Sequence, residues 1–149
     1  VKKFCNPILN ELVKNNCKII GDAFIKKHFK GKIIPAKDKD WSTEYLSATI
    51  SVKCVDNLEK AIEHINKYGT MHTDSIITED KIAANQFMKN IKSSIAIHNS
   101  STQFADGGEF GFGGEVGIST SKLPPRGPVG LEQLVSYKYE IFGQGQIRK

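Results

Sequence analysis

The sequence predicts an α/β fold built on a parallel sheet. Strand-like alternation and helix-like periodicity take turns between residues 48 and 98, in the order strand, helix, strand, helix, strand. The connections are short, which makes the crossovers right-handed and the strands parallel. A glycine-rich stretch follows the last of these strands, where α/β folds set their ligand loops.

Each element has its own signal. Val1, Phe4, Cys5, Ile8, Leu9, Leu12 and Val13 recur every three or four residues, one face of an amphipathic helix. Pro7 is compatible with that helix only if the helix starts late. Cys17-Lys18-Ile19-Ile20 reads as a short strand ended by Gly21-Asp22. Residues 23–45 give a weak pattern, a short helix and then a loop through Gly31, Pro35 and Trp41. Ala48, Ile50, Val52 and Cys54 alternate with polar residues, as in a strand. Asp56 or Asn57 can cap a helix with Leu58, Ala61, Ile62 and Ile65 on one face, and Gly69 can end it. Asp74 to Ile77 is the next strand. Thr78 is the expected cap of a helix striped by Ala84, Phe87, Met88 and Ile91, and Ser94 to His98 is the last strand of the series.

Beyond Asn99 the chain reads as loop, with a second irregular stretch at Ser119 to Pro128. Val129 to Val135 can form a short helix. Residues 136–142, rich in aromatic and β-branched side chains, read as a strand that pairs with another chain or domain.

Composition narrows the function. The chain has 149 residues, 39% hydrophobic and 25% charged, ordinary values for one globular domain. No apolar run approaches the roughly 18 residues that span a bilayer. The first residue is Val rather than Met, the pattern of a cut or incomplete chain. Net charge is +5, but lysines alternate with acids, as in Lys37-Asp38-Lys39-Asp40, rather than forming the aromatic-interleaved basic stripe of a nucleic-acid binder. Cys5, Cys17 and Cys54 stand at neither disulfide-framework nor metal spacing, so the expectation is a reducing cytoplasm and no metal site.

Two segments carry candidate chemistry. Asn99-Ser100-Ser101-Thr102-Gln103-Phe104 gathers small polar groups at the carboxyl end of a strand, as a polar-substrate pocket or as a cap-and-turn cluster. The glycines that follow fit neither a dinucleotide fingerprint nor a P-loop, which leaves a site-lining loop and a tight surface loop open. His72, in a helix-to-strand turn, reads as a structural hydrogen-bonder before it reads as a base. Glu44 is a lone acid before a strand.

Longer motifs go further. Residues 99–111, Gly114-Glu115-Val116-Gly117-Ile118-Ser119-Thr120 and Arg126-Gly127-Pro128-Val129-Gly130-Leu131-Glu132 closely resemble the C-terminal signature of the γ-glutamyl phosphate reductase (glutamate-5-semialdehyde dehydrogenase) family. Trp41 to Leu46, Ala61 to Ile65, Tyr68 to Asp74 and Thr78-Glu79-Asp80 match in the same order.

The resemblance implies a branch of the aldehyde dehydrogenase superfamily. Its members use NADPH to reduce L-glutamyl 5-phosphate to glutamate 5-semialdehyde in proline biosynthesis, through a cysteine thioester. It implies that residues 1–128 are the C-terminal part of the catalytic domain, and that 129–149 hold a short helix and an oligomerisation strand. Family members are much longer, with the cofactor domain and the nucleophilic cysteine upstream. Cys5-Asn6 imitates the family's Cys-Asn pair, but the alignment through Gly21-Asp22 puts Cys5 on an ordinary apolar helix position. All three cysteines therefore read as packing residues, and this chain alone is expected to be inactive.

Residue by residue, the resemblance gives Glu44 to the nicotinamide ribose, whose hydroxyls a carboxylate can accept. It assigns the substrate pocket to Asn99, Ser101, Thr102, Gln103, Phe104 and Arg126, and leaves His72 structural or at the site. Homo-oligomerisation through residues 136–142 and association with glutamate 5-kinase are the implied partnerships. Two departures stand out. The family usually has Arg at the position of Gln103 and His at that of Pro124. A neutral Gln103 grips an anion less strongly than a guanidinium.

Overall fold

Leu9 and Ile19 are the most deeply buried large side chains, and the first part of the fold grows around them. The structure is a computed structural model and describes residues 2–148. Val1, expected on the first helix, and Lys149, at the basic C-terminus, lie outside the described residues.

Helix α1 (Lys2–Lys14) presents Cys5, Leu9 and Leu12, spaced four and three residues apart, to strand β1 (Lys18–Gly21). Phe4, Ile8 and Val13 are exposed, so only part of the expected stripe reaches the core. Pro7 lies inside the helix and not near a late start. After β1 comes helix α2 (Ala23–His28), then strand β2 (Ile33–Pro35) in a segment the sequence reads as loop. Three residues ending in Pro are too short for alternation to show.

Strand β3 (Thr49–Val52) pairs parallel with the other side of β1, giving the order β2-β1-β3. Leu9, Ile19, Ile25 and Phe29 form the core between these elements, joined by Ile33, Val52, Cys5 and Cys54. Burying one such aliphatic side chain contributes roughly 1.5–3 kcal/mol. Asp22 locks the corner. Its Oδ1 accepts from Ile25 N at 2.8 Å, capping α2, and its Oδ2 accepts from Cys54 N at 2.8 Å. Gly21 is required there, since a Cβ would stand 2.9 Å from the Cγ2 atoms of both Ile25 and Ile33.

Helix α3 (Leu58–Tyr68), strand β4 (Thr73–Ile76), helix α4 (Lys81–Asn90) and strand β5 (Ile95–His98) follow as read. Asn57 caps α3. Asp80, not Thr78, caps α4, because its carboxylate reaches both Ile82 N and Ala83 N. Ile62, Phe87 and Ile91 make a second core with Leu58, Ile65, Ile76 and Ala96, while Met88 is exposed. Asn66 ties the two helices, donating to Asn90 O and accepting from Lys92 N.

One expectation is corrected here. β3, β4 and β5 do not form one continuous sheet; β3 pairs with β1, and β4 pairs parallel with β5 in a separate ladder. Periodicity fixes the type of an element but not its neighbour.

The last third is different. Strands β6 (Gly117–Ser119) and β7 (Gly127–Val129) form an antiparallel pair inside stretches read as irregular or helical. Glycine and proline hide strands of this kind. The expected helix at 129–135 is reduced to a 3₁₀ turn at Glu132–Leu134. Residues 136–142, expected as a strand, form no ladder within the described chain; Tyr137, Tyr139, Ile141 and Phe142 are each more than four-fifths exposed.

Candidate functional site

The polar loop leaves the carboxyl end of β5. Asn99 turns the chain with φ 55°, and its amide clamps the loop before α4: Oδ1 accepts from Thr78 N at 2.8 Å and Nδ2 donates to Thr78 O at 3.0 Å. His98 Nε2 lies 3.0 Å from the same carbonyl. Ser75 Oγ donates to Ser100 O at 2.8 Å. Asn99 is thus engaged in shaping the loop rather than held open for a ligand.

Beyond that clamp, Ser101 Oγ caps a 3₁₀ turn at Thr102–Phe104 by accepting from Gln103 N. Thr102, Gln103 and Phe104 are exposed, at the end of the sheet where α/β folds bind ligands.

The glycine-rich stretch folds back on itself. Asp106 Oδ1 accepts from Gly108 N at 2.7 Å, Phe112 N donates to Gly107 O at 2.8 Å, and Glu115 Oε2 accepts from Gly107 N at 2.9 Å. Val116 N then joins Val129 O at 2.9 Å. Gly130 sits so close that a Cβ would meet Gly114 O at 3.0 Å and Phe112 Cβ at 3.1 Å. A tight, self-bonded loop therefore stands directly after the polar one.

Arg126 and His72 occupy the other end of the ladder. Arg126 Nε donates to Ser94 Oγ at 3.1 Å, and its Nη2 donates to Lys92 O. Ser94 Oγ is also 3.2 Å from Met71 O. His72 O accepts from Ile95 N, its Nδ1 meets Thr73 Oγ1 at 2.8 Å, and its buried Nε2 has no hydrogen-bond partner. Ser94 and Asn99 are separated by five strand steps, about 16 Å. Within this chain, Arg126 and His72 are not brought together with Asn99–Phe104.

Glu44 is exposed between two pinned neighbours. Thr43 Oγ1 donates to Lys39 O at 2.7 Å, and Tyr45 OH donates to Asp40 Oδ1 at 3.1 Å. Burial, and then the Asp40 carboxylate, push the Tyr45 hydroxyl above its ordinary range. Burial also raises the Cys54 thiol, helped by Asp22, which disfavours its thiolate. Asp74, hydrogen-bonded by Ser93 Oγ, is raised by burial, with the Ser93 bond opposing. Among the described residues, no group of three His, Cys, Asp or Glu side chains could hold a metal ion, and no helix is long and apolar enough to cross a membrane.

A cluster absent from the sequence reading lies elsewhere: Trp41, His64 and Tyr68 in ring contact, flanked by Lys53 and Lys67. Its signal was available, because Lys60, His64 and Lys67 are four and three residues apart on α3.

Two parallel sheets, βα crossovers and a polar loop at a strand's carboxyl end define a stretch of α/β fold. No family model matches the chain. It is 51% identical over 142 residues to a γ-glutamyl phosphate reductase of Methylocella silvestris, covering 95% of this chain and 33% of that protein. With the γ-glutamyl phosphate reductase of Brucella anthropi it shares 52% identity over the same shares. The crystal structure of γ-glutamyl phosphate reductase from Thermotoga maritima matches with a TM-score of 0.94 and 42% identity, covering 99% of this chain and 36% of that one. The Saccharomyces cerevisiae enzyme matches at TM-score 0.53 and 28% identity, over 94% of this chain and 31% of that one. The chain is a homologue of the γ-glutamyl phosphate reductases and spans about a third of the length of the curated relatives it matches.

Proposed function

We propose that this chain supplies part of the catalytic domain of a γ-glutamyl phosphate reductase, an oxidoreductase of proline biosynthesis acting in the cytoplasm. The whole protein would reduce L-glutamyl 5-phosphate to L-glutamate 5-semialdehyde and release phosphate. A thiolate would displace phosphate to give a thioester, and NADPH supplies the hydride that releases the aldehyde. The single observation that carries this reading is identity near 50% along 142 residues, with a backbone match at TM-score 0.94 to one such enzyme.

In this reading the chain's own residues bind and position. Glu44 fits a ribose: it is exposed, on a turn fixed at both neighbours, and a carboxylate accepts from two hydroxyls. Thr102, Gln103 and the Ser101-capped turn offer polar contacts to the substrate, while Asn99 holds that turn to Thr78. Phe104 walls the pocket. Arg126 serves by fixing the hairpin to β5. The nucleophile is supplied outside these 149 residues in this reading: Cys5 and Cys54 pack against the first core, and Cys17 Sγ, outside that core, donates to Lys18 O. Residues 136–142 pair with another copy, and association with glutamate 5-kinase belongs to the same reading.

A second reading is favoured by one observation, the exposed apolar side chains of residues 131–147. In it the chain is a self-association domain without chemistry. The separating experiment follows phosphate-dependent oxidation of glutamate 5-semialdehyde by NADP. The complete protein should turn over, Glu44→Ala should weaken NADP binding, and the 149-residue chain alone should be inactive. A complete protein that folds, binds NADP and lacks turnover would leave only the second reading. Activity of the short chain that is lost in Cys5→Ala would show the nucleophile is Cys5.

A further inference from the structure

We propose that the cleft between the end of β3 and α3 binds a phosphate group through Lys53 and Lys67. The inference does not depend on the reductase reading, because binding of phosphate needs no turnover. The cleft is open to solvent and has a volume of about 370 Å³. α3 turns Lys60, His64 and Lys67 toward it, away from the Ile62 and Ile65 face that enters the core.

Charge is the first observation. Lys53, Lys60 and Lys67 line the cleft together with Asp56 and Glu63. Lys60 is bonded to Glu63 at 2.7 Å. Among the ion pairs of the described residues, neither Lys53 nor Lys67 has a carboxylate partner. With Asp56 counted, one positive charge is left over.

Geometry is the second. Trp41, His64 and Tyr68 make a run of rings with centroids 5.4 and 4.7 Å apart. Lys53 Nζ stands 5.2 Å from the Trp41 centroid and Lys67 Nζ 4.9 Å from the Tyr68 centroid, so an ammonium sits beside each end of the run. A ring face attracts a cation without neutralising it. Between them, Lys53 Nζ lies 3.3 Å from His64 Nδ1, which makes that nitrogen an acceptor and the imidazole neutral. Burial, then Lys53 and Lys67, hold His64 below its ordinary range.

A phosphate in the cleft takes charge-assisted hydrogen bonds from the ammonium groups that line it. Its negative charge opposes the effect of Lys53 and Lys67 on His64 and so favours the protonated imidazole. Two lysines lining one cleft suit the several oxygens of a phosphate dianion better than the two of a carboxylate. The volume leaves room for the organic remainder of a phosphomonoester.

The test is titration of the His64 ring signals in the purified protein by nuclear magnetic resonance. Inorganic phosphate is added at constant ionic strength near neutral pH. A saturable shift and a raised His64 pKa are expected. Lys53→Gln and Lys67→Gln should each weaken binding about fivefold or more, whereas Lys67→Arg should keep it. Lys89→Gln, on α4, should bind as the unsubstituted protein does. Glycerol phosphate run in parallel separates the sources: tighter binding than inorganic phosphate identifies a phosphomonoester, equal or weaker binding identifies free phosphate. A shift that never saturates, that sodium chloride reproduces, or that survives both glutamine substitutions in a folded protein overturns the proposal.

Discussion

Residues 2–98 and residues 99–148 are held together by different forces. In the first region α1, β1, α2, α3 and α4 bury Leu9, Ile19, Ile25, Phe29, Ile62, Phe87 and Ile91 in two cores. In the second, Val129 is the only buried large hydrophobic side chain among the described residues. The second region keeps its shape through specific hydrogen bonds: Asn99 to Thr78, Glu115 to Gly107, Arg126 to Ser94. Burial is roughly proportional to area and tolerates small shifts, whereas a hydrogen bond demands geometry. The packed region is a scaffold, and the bonded region is where a polar surface can be shaped for a ligand.

The difference can be broken by mutation. Phe87→Ala removes a nearly fully buried ring from the second core and should cost about 3–5 kcal/mol in denaturant unfolding. Phe142→Ala, in the exposed tail, should stay within about 0.5 kcal/mol. Equal effects would erase the contrast.

Next in size are Gly21→Ala and Asp22→Ala. The added methyl must push aside Ile25 and Ile33 from 2.9 Å, which should cost about 1–3 kcal/mol. Asp22→Ala removes the α2 cap and leaves Cys54 N without its acceptor, an expected loss of about 1–3 kcal/mol by the same measurement.

A smaller effect is set by pH. Burial raises Asp74 above its ordinary 3.8, so the folded state holds that proton to higher pH than the unfolded state does. Its contribution to stability therefore falls as pH rises from 3.8 through the raised value, and the destabilisation is complete above it. Asp74→Asn should flatten this fall in unfolding curves measured across that window, and it should make the protein more stable at neutral pH. A steeper fall in the variant would contradict the assignment.

The smallest global effect belongs to Arg126→Ala. Stability should change by less than about 1 kcal/mol, because the side chain is exposed. Exchange of the Val116 amide, bonded to Val129 O, should nevertheless quicken as the hairpin loosens from β5.

The sequence announced the packed region better than the bonded one, for a physical reason. Burial leaves a period in the chain, and α3, β4, α4 and β5 were legible from it, down to Asn57 as one of two candidate caps. Strand order leaves no period, so the pairing of β3 with β1 was hidden. β2, β6 and β7 are three residues each, with proline or glycine, and below the length at which alternation can be seen. At the candidate site the polar loop was legible as a composition. What each residue does there was not: Asn99 spends its amide on Thr78, and Arg126 lies at the far end of β5. Those roles depend on partners more than twenty residues away.

Residue-resolved hydrogen exchange tests the central contrast most directly. Amides of Ile19, Ile20 and Phe87 should exchange only through global unfolding, whereas those of residues 136–142 should exchange close to the rate of an unstructured peptide in dilute protein. If these residues pair between copies as proposed, their protection should grow with protein concentration. Protection of 136–142 equal to that of β1 in dilute monomer, or loss of protection at Ile19 and Phe87 while the tail stays protected, would contradict the account.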